Sequence, residues 1–594
     1  MNSTSLRKKF LSFFQKKGHT IVPSSSLLPS DPSVLFTTAG MQQFKPYFLG
    51  EKSPYGPNVT SCQKCIRTSD IDSVGDKTHL TFFEMLGNFS FGGYFKKEAI
   101  YYAYQFLVEE LRLPKERLWI TYFKGEDGIP KDLESKKIWQ ELGFEESKIF
   151  GFGRKDNFWG PTGIEGPCGP TTEIHFDLTQ TPCEKGSNCI PNCECGRFVE
   201  IWNLVFNEYY QNPQKELKPL TQKGVDTGMG LERLLMVTNN KTDLFETDLF
   251  WPLIEIISKF TKLSYYDNPP PFRIIADHIK ASVFLIQEGI LPSKEERGYV
   301  LRRLLRRAQR FARTINLPQE GLLEVAKAVM GIYEDTYPEL KKKTEEILTV
   351  MQNEFEKFAK TIEKGMKEFE KLIQDKKDKI EGEEAFYLYE TFGFPLELIE
   401  EMAKEKGLKV DREGFFQAQR RHQEISRKGA QRKFGGVGIE MLATEEDKEK
   451  VTRLHTATHL LHQALREVLG ESVRQMGSDI TPERLRFDFS FPRKLTEDEI
   501  KKVEELVNQK IKEGLPVVKK EMKFEEAQKI GALAFFKEKY PDKVSVYFIG
   551  DFSKEVCAGP HVKNTKELGK FVIIKEESVG AGIRRIKAKL LNHE

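Results

Sequence analysis

Hydrophobic and polar positions along the chain fall into three textures. Up to about residue 236, short apolar runs such as "RLWITYF" from Arg117 and "VEIWNLVF" from Val199 alternate with segments rich in Gly, Pro, Phe and Trp. Strands joined by loops produce that pattern, and it predicts an α+β domain. From about 240 to 440 Gly and Pro thin out. Leu348, Met351, Phe355, Phe358, Ile362, Met366, Phe369 and Ile373 recur at steps of three and four, which predicts one long helix with a single apolar stripe. The charged, glycine-bearing "SRKGAQRKFGGVGIE" from Ser426 predicts a linker to a third region. At 594 residues the chain is too long for one core. It reads as a multidomain α+β protein divided at 1–236, 237–440 and 441–594.

Composition narrows the class. With 39% hydrophobic and 30% charged residues, and no apolar run of the length that spans a bilayer, the chain reads as soluble. Its amphipathic start, "MNSTSLRKKFLSFFQKKGHT", lacks the continuous apolar region and cleavage site of a secretion signal, so a cytoplasmic protein without membrane partners is expected. A net charge of only +3 requires any nucleic-acid surface to come from local clustering. Eight cysteines are too few for a disulfide scaffold. Four of them, Cys183, Cys189, Cys193 and Cys195, crowd one polar loop, which suggests a closed structural Zn²⁺ knob, with free thiols as the alternative. Cys62 and Cys65 have no matching second pair and are expected to be loop residues.

Three further stretches carry chemistry. In "GVDTGMGLERLLMV" from Gly224, a glycine-rich turn bearing Asp226 is expected to lead into a helix with Glu232 and Arg233. Upstream, Arg67 precedes an aromatic strand hairpin in which His79 and Phe83 are spaced to share a side. Each alone reads as a surface arginine or a core ring. Together, two permanently charged arginines, a histidine and an aromatic face suit the triphosphate and base of ATP. In "ERGYVLRRLLRRAQRFAR", Arg302, Arg306, Arg310 and Arg313, with Arg303 and Arg307 beside them, form a basic helix stripe. That stripe reads either as a solvated face or as a contact for the phosphates of an RNA stem. Finally, "HTATHLLH" sets His455 and His459 four apart, on one face of a helix, as in HExxH zinc sites but without the glutamate.

The strings "FTTAGMQQFKPYFLG", "THLTFFEMLGNFSFG", "DNFWGPTGIEGPCGPTTEI", "FVEIWNLVFNEY", "VDTGMGLER", "RGYVLRRLLRRA", "LYETFGFP", "HTATHLLH" and "CAGPH" occur in one order over essentially the whole chain. In them the sequence resembles the class II aminoacyl-tRNA synthetases, and within those the alanyl family. The resemblance implies a class II antiparallel-sheet catalytic domain, a helical tRNA-binding domain and an α+β editing domain, with ATP and Mg²⁺, alanine and tRNA(Ala) as partners. It implies that Arg67 holds the α-phosphate, His79 the outer phosphates, Phe83 and Met85 the adenine, and Arg233 the opposite face or the γ-phosphate. Asp226 would pair with the amino acid's ammonium and Asn203 with its polar groups. Trp159, which alone would pass for core, would wall the side-chain space with Val205, and Gly228 would limit its size.

Alanine differs from glycine and serine by one small group, a difference that binding alone discriminates by roughly 10- to 200-fold, so a second, hydrolytic site is expected. In the editing domain that alanyl and threonyl enzymes share, His455, His459, Cys557 and His561 would gather around a metal and a misacylated 3′ end. Three imidazoles and one thiolate make a Zn²⁺ set, with Gln475 and Thr458 orienting water or the substrate's amine. "CAGPH" resembles the threonyl version more than the alanyl one. The family reads a G·U pair of the acceptor stem through an asparagine and an aspartate; Lys294 and Glu390 stand there in this chain. Relatives usually continue into a C-terminal oligomerisation domain, so a monomer is expected. Two other functions fit part of the pattern: a catalytically inactive RNA-binding or amino-acid-sensing relative, and a stand-alone editing hydrolase.

Overall fold

The computed structural model describes residues 1–374, 378–422, 444–471, 473–534, 543–580 and 583–591. The expected linker from Ser426 to Glu440 lies outside the described residues. The chain packs as two compact units, Met1–Lys371 with Thr391–Leu398, and Leu372–Glu390 with Ile399–Glu594.

The first unit is built on nine strands: β1 (Thr20–Ile21), β2 (Asn58–Ile66), β3 (Phe82–Phe91), β4 (Leu118–Phe123), β5 (Ile149–Phe152), β6 (Phe158–Trp159), β7 (Gly166–Asp177), β8 (Phe198–Gln211) and β9 (Leu217–Gly230). Their order is β1-β2-β3-β9-β8-β7-β4-β5, with β6 paired to β7. Only β1/β2 and β4/β5 are parallel. Alternation along β8 explains how one sheet makes both a core and a site. Trp202, Leu204 and Phe206 are fully buried on one face. Asn203 and Val205 point the other way and line a cavity. On the core face, Phe10 and Phe14 of the helix Ser3–Lys16 pack on Trp202 with ring centroids 5.9 and 6.3 Å away.

The helices Pro269–Gln287, Glu296–Thr314, Gln319–Tyr333 and Thr344–Ile373 join the same hydrophobic core, which runs without a break from Leu6 to Phe355. Residue 236 is therefore not a packing boundary. Phe284 stacks on Phe82 of β3 with centroids 3.9 Å apart, which anchors the helices to the sheet. The long apolar stripe forms as expected, with Met351, Phe355, Phe358, Ile362 and Phe369 buried along one face of Thr344–Ile373.

The arginine helix departs from expectation. Its stripe is interior: Arg302, Arg303, Arg306 and Arg307 are all less than 10% exposed. Arg306 binds the buried Glu354 through Nε at 2.7 Å and also donates to the Gly393 carbonyl. Arg302 approaches Glu354 at 3.9 Å, and Arg303 pairs with Asp72 and Glu397. Arg307 donates to the carbonyls of Ile71 and Val74 and lies 2.8 Å from His278 Nε2. Periodicity reports which side chains share a face and is silent on whether that face meets water or carboxylates from another element. Arg313 and Lys294 remain exposed. Two smaller expectations also change: Cys62 and Cys65 lie in β2, not in a loop, and the glycine-rich "turn" before Arg233 is the end of β9.

The second unit pairs the helix Glu445–Leu469 with the helix Glu497–Glu513 and a four-stranded sheet, Gln475–Thr481, Arg484–Ser490, Ile583–Leu591 and Lys570–Gly580 in that order. A three-stranded sheet, Val517–Lys523, Lys543–Ile549 and Ser553–Val556, adjoins it. Thr444 caps the histidine-bearing helix by accepting from Asp447 N, with Glu445, Glu446 and Asp447 in the first turn where the helix dipole favours acids.

Candidate active sites

The cavity on the open face of the first unit's sheet has a volume of about 420 Å³. Its floor follows from strand register. Asn203 and Val205 of β8 pair with Gly228 and Asp226 of β9, and Gly230 and Asp226 pair with Met85 and Phe89 of β3. A Cβ on Gly228 would stand 2.9 Å from Met85 Sδ, so any larger residue there would have to push the Met85 side chain aside. This crowding explains a glycine inside a strand that would otherwise be weakened by it.

Asp226 is the cavity's electrostatic centre. It is 5% exposed, no cation pairs with it among the described residues, and burial pushes its carboxyl up to about 8. Beside it, Asn203 gives its Nδ2 to Glu173 at 3.0 Å and leaves Oδ1 buried without a donor. A cation with N–H groups would satisfy both, because an unpaired buried charge costs several kcal/mol. At the other end, Arg67 lies 5.0 Å from the Phe83 ring centroid and donates to the Thr38 carbonyl. Arg233 donates to the Glu200 carbonyl at 3.2 Å and faces its carboxylate at 3.7 Å. Trp159 also lines the cavity.

Of the residues expected here, Arg67, Phe83, Met85, Trp159, Asn203, Val205, Asp226, Gly228 and Arg233 come together on one wall set. His79 does not. It lies in the connection before β3, outside the strand, with Nδ1 held 2.5 Å from Asp76, and the neighbouring Thr78 and Leu80 line the cavity instead. Sequence reasoning missed Glu173, His175 and Glu200. The β7–β8 pairing sets His175 opposite Glu200 and Glu173 opposite Asn203, and Glu173 is pushed up by burial.

The second unit gathers His455, His459, Cys557 and His561 so that one ligand atom from each lies within 4.8 Å of the others. His455 Nε2 and His561 Nε2 are each 3.4 Å from Cys557 Sγ. Each imidazole is held from behind through Nδ1: His455 by the Pro560 carbonyl at 3.2 Å, His459 by Glu555 at 2.5 Å, and His561 by Thr456 Oγ1 at 3.2 Å. Fixing Nδ1 leaves Nε2 turned to the shared centre, the arrangement that metal-binding histidines require. Burial alone would raise the Cys557 thiol, but hydrogen bonds to the three histidines bring it down to about 2. Burial would lower His459, yet the Glu555 carboxylate holds it up at about 10. The donors therefore fit a thiophilic divalent ion such as Zn²⁺.

Glu555 and Thr456 were not legible in the sequence. Glu555 is 1% exposed and also binds His462 Nδ1 at 2.9 Å. The hydroxyl of Thr458 back-bonds to the Leu454 carbonyl on its own helix, and Gln475 donates to Ser478 at 3.0 Å. Neither makes a hydrogen bond to the four clustered residues. Glu390 is exposed, 3.4 Å from His422 Nε2.

The family model for class II (A) tRNA synthetases matches residues 5–475, and that for the second additional domain of threonyl and alanyl tRNA synthetases matches residues 544–587. The alanine–tRNA ligase of Borrelia hermsii is 47% identical over all of both chains, and that of Treponema denticola 49% identical over 98% of each. The alanine–tRNA ligase of Petrotoga mobilis is 40% identical over 99% of this chain and 79% of its own length. With the class II model matched over most of the chain and relatives 40 to 49% identical along nearly all of it, the chain belongs to the alanine–tRNA ligase family of class II tRNA synthetases.

Proposed function

We infer that the protein attaches alanine to tRNA(Ala) through an alanyl-adenylate and hydrolyses tRNA mischarged with serine or glycine at its second site. One observation carries the first half: a buried carboxylate without a cation, beside an unsatisfied amide oxygen, in a cavity whose far end holds two arginines. Asp226 takes the ammonium of alanine and Asn203 Oδ1 accepts one of its N–H groups. Val205, Trp159 and the close approach of Gly228 to Met85 leave space for a methyl. The carboxylate then attacks the α-phosphorus of ATP, forming the acyl–phosphate bond as pyrophosphate leaves. No protein nucleophile is needed; in-line placement and charge stabilisation suffice. Arg67 is assigned the α-phosphate, Phe83 and Met85 the adenine, and Arg233 the outer phosphates or the base. Mg²⁺ accompanies ATP. His79, which is outside the cavity lining, is assigned to the outer phosphates. A terminal hydroxyl of the tRNA next attacks the acyl carbon and releases AMP.

For editing, Zn²⁺ is assigned to His455, His459, Cys557 and His561, where it would supply Lewis acidity toward water or the ester. Glu555 and Thr456 keep His459 and His561 oriented, and Gln475 is assigned to the substrate's amine. The functional regions remain 1–236 for activation, 237–440 for tRNA and 441–594 for editing. Because all of the arginine stripe but Arg313 is interior, the tRNA contacts are assigned to Arg313, to the exposed Lys294 and to Glu390. Arg302, Arg303, Arg306 and Arg307 act by holding the helix Glu296–Thr314 in place. The deciding experiment is amino-acid-dependent pyrophosphate exchange with ATP. Alanine should support it far better than serine or glycine; exchange driven by another amino acid, or by none, rejects the assignment.

A further inference from the structure

The loop between β7 and β8, residues 178–197, has little to hold it. Its regular structure is one 3₁₀ turn, Gly186–Asn188, and its side chains are mostly exposed apart from Cys189, Pro191 and Arg197. A connection of this length without a core of its own needs a staple to keep one shape. Its ends are tied, since Arg197 binds the buried Asp177 through Nε at 3.0 Å and Nη2 at 2.6 Å and reaches the Cys189 carbonyl at 3.5 Å. Its middle contains the four cysteines. Cys183 and Cys193 sulfurs are 3.8 Å apart and Cys189 and Cys195 sulfurs 3.7 Å, with all four within 4.8 Å of one another. A disulfide needs about 2.05 Å. The sulfur–sulfur edge of a tetrahedral Zn²⁺ site with bonds of about 2.3 Å is about 3.8 Å. Two of the six sulfur–sulfur distances thus match the edge of a four-thiolate metal site, and the other four lie within 4.8 Å.

The loop also reaches the activation pocket. Asn192, next to the ligand Cys193, lines the cavity. The strands leave the sheet at Asp177 and Phe198, two residues beyond the facing pair His175 and Glu200, and Glu200 is the partner of Arg233. Asn203, Val205 and Asp226 lie further along the strands, away from the loop.

We propose that Cys183, Cys189, Cys193 and Cys195 bind a structural Zn²⁺ that clamps Asn192 as a wall of the ATP end of the activation pocket. Binding converts four thiols to thiolates, with their protons released to solvent. The assignment of the ATP end rests on the adenylate-forming reaction inferred above; the metal site does not.

The metal is tested first, in a His455→Ala, His459→Ala, Cys557→Ala variant that lacks the other cluster. As purified, it should hold one zinc per chain. After exchange with Co²⁺ it should show the intense sulfur-to-cobalt charge-transfer absorption of a four-thiolate tetrahedral site. No bound metal, iron in place of zinc, or an intact mass showing disulfides would overturn the site. The clamp is tested by pyrophosphate exchange, provided the wild type exchanges with alanine. Asn192→Ala should keep its zinc and raise the KM for ATP about tenfold, the worth of one hydrogen bond, while the KM for alanine stays within about twofold. Cys189→Ser with Cys193→Ser should lose that zinc and show the same selective rise. Unchanged ATP kinetics in Asn192→Ala, or equal losses for ATP and alanine in the cysteine variant, would overturn the clamp. A wild type inactive in exchange would reject the inferred reaction and leave the metal result standing.

Discussion

The two sites treat buried charge in opposite ways. In the first unit the carboxyl of Asp226 is buried in the lining of a cavity of about 420 Å³, with no cation beside it among the described residues. In the second, Glu555, His459 and Cys557 already satisfy one another, and the four donor atoms converge on one point. The first arrangement leaves a demand that a substrate ammonium, as inferred above, would meet. The second presents a finished ligand set, poised for an ion and a labile ester.

The comparison is sharpened most by disturbing charge that is already paired. Arg306→Gln leaves Glu354 buried without its main partner, a loss of roughly 3 to 5 kcal/mol. Thermal unfolding should drop accordingly, and pyrophosphate exchange and charging should fall together. A selective loss of charging would instead return this arginine to the RNA surface. Asp226→Asn has the reverse character, because it removes a carboxyl that burial keeps protonated below about pH 8 until substrate arrives. The folded state should be unharmed while adenylate formation falls by about 100-fold or more, the value of a charge-assisted hydrogen bond. Near wild-type exchange would take Asp226 out of the pocket.

In the second unit, Glu555→Gln should weaken zinc binding by about 10- to 100-fold, as loss of an outer-shell partner does. Release of serine from Ser-tRNA should fall with it and recover in excess zinc. Full metal affinity in this variant would reduce Glu555 to packing.

The smallest effect is a pH dependence. Burial raises Asp226 to about 8 in the unliganded pocket. Below that pH, alanine must displace a proton, so its affinity should climb by up to about tenfold per pH unit as pH rises toward 8 and then level. A carboxyl whose folded value is raised favours the folded state most below the ordinary carboxylate range. That contribution is lost as pH rises through about 8, so unliganded wild type should lose stability there relative to Asp226→Asn. A flat alanine profile in the wild type would contradict the unpaired state of Asp226.

How much of this was legible in the sequence depended on how each site is assembled. His455 and His459 sit on one helix, and Cys557 and His561 four residues apart, so local spacing exposed most of the cluster. The carboxylate and hydroxyl behind it, Glu555 and Thr456, were invisible because they look like ordinary strand and helix residues until that strand and helix pack together within the second unit. The activation pocket draws on β3, β7, β8 and β9 and became readable only through family resemblance. Even then Glu173, His175 and Glu200 were missed, since nothing in a strand's alternation says which face is a cavity. The arginine stripe misled for the same reason: its period was right and its surroundings were carboxylates from distant helices and loops.

The central claim is that two chemistries on separate units can be broken one at a time. Cys557→Ala tests it most directly when zinc content, serine release from pre-formed Ser-tRNA and alanine-dependent pyrophosphate exchange are measured on one preparation. The account predicts lost metal at that cluster, lost serine release and unchanged exchange. Intact serine release, or exchange that falls in step with it, would contradict the account.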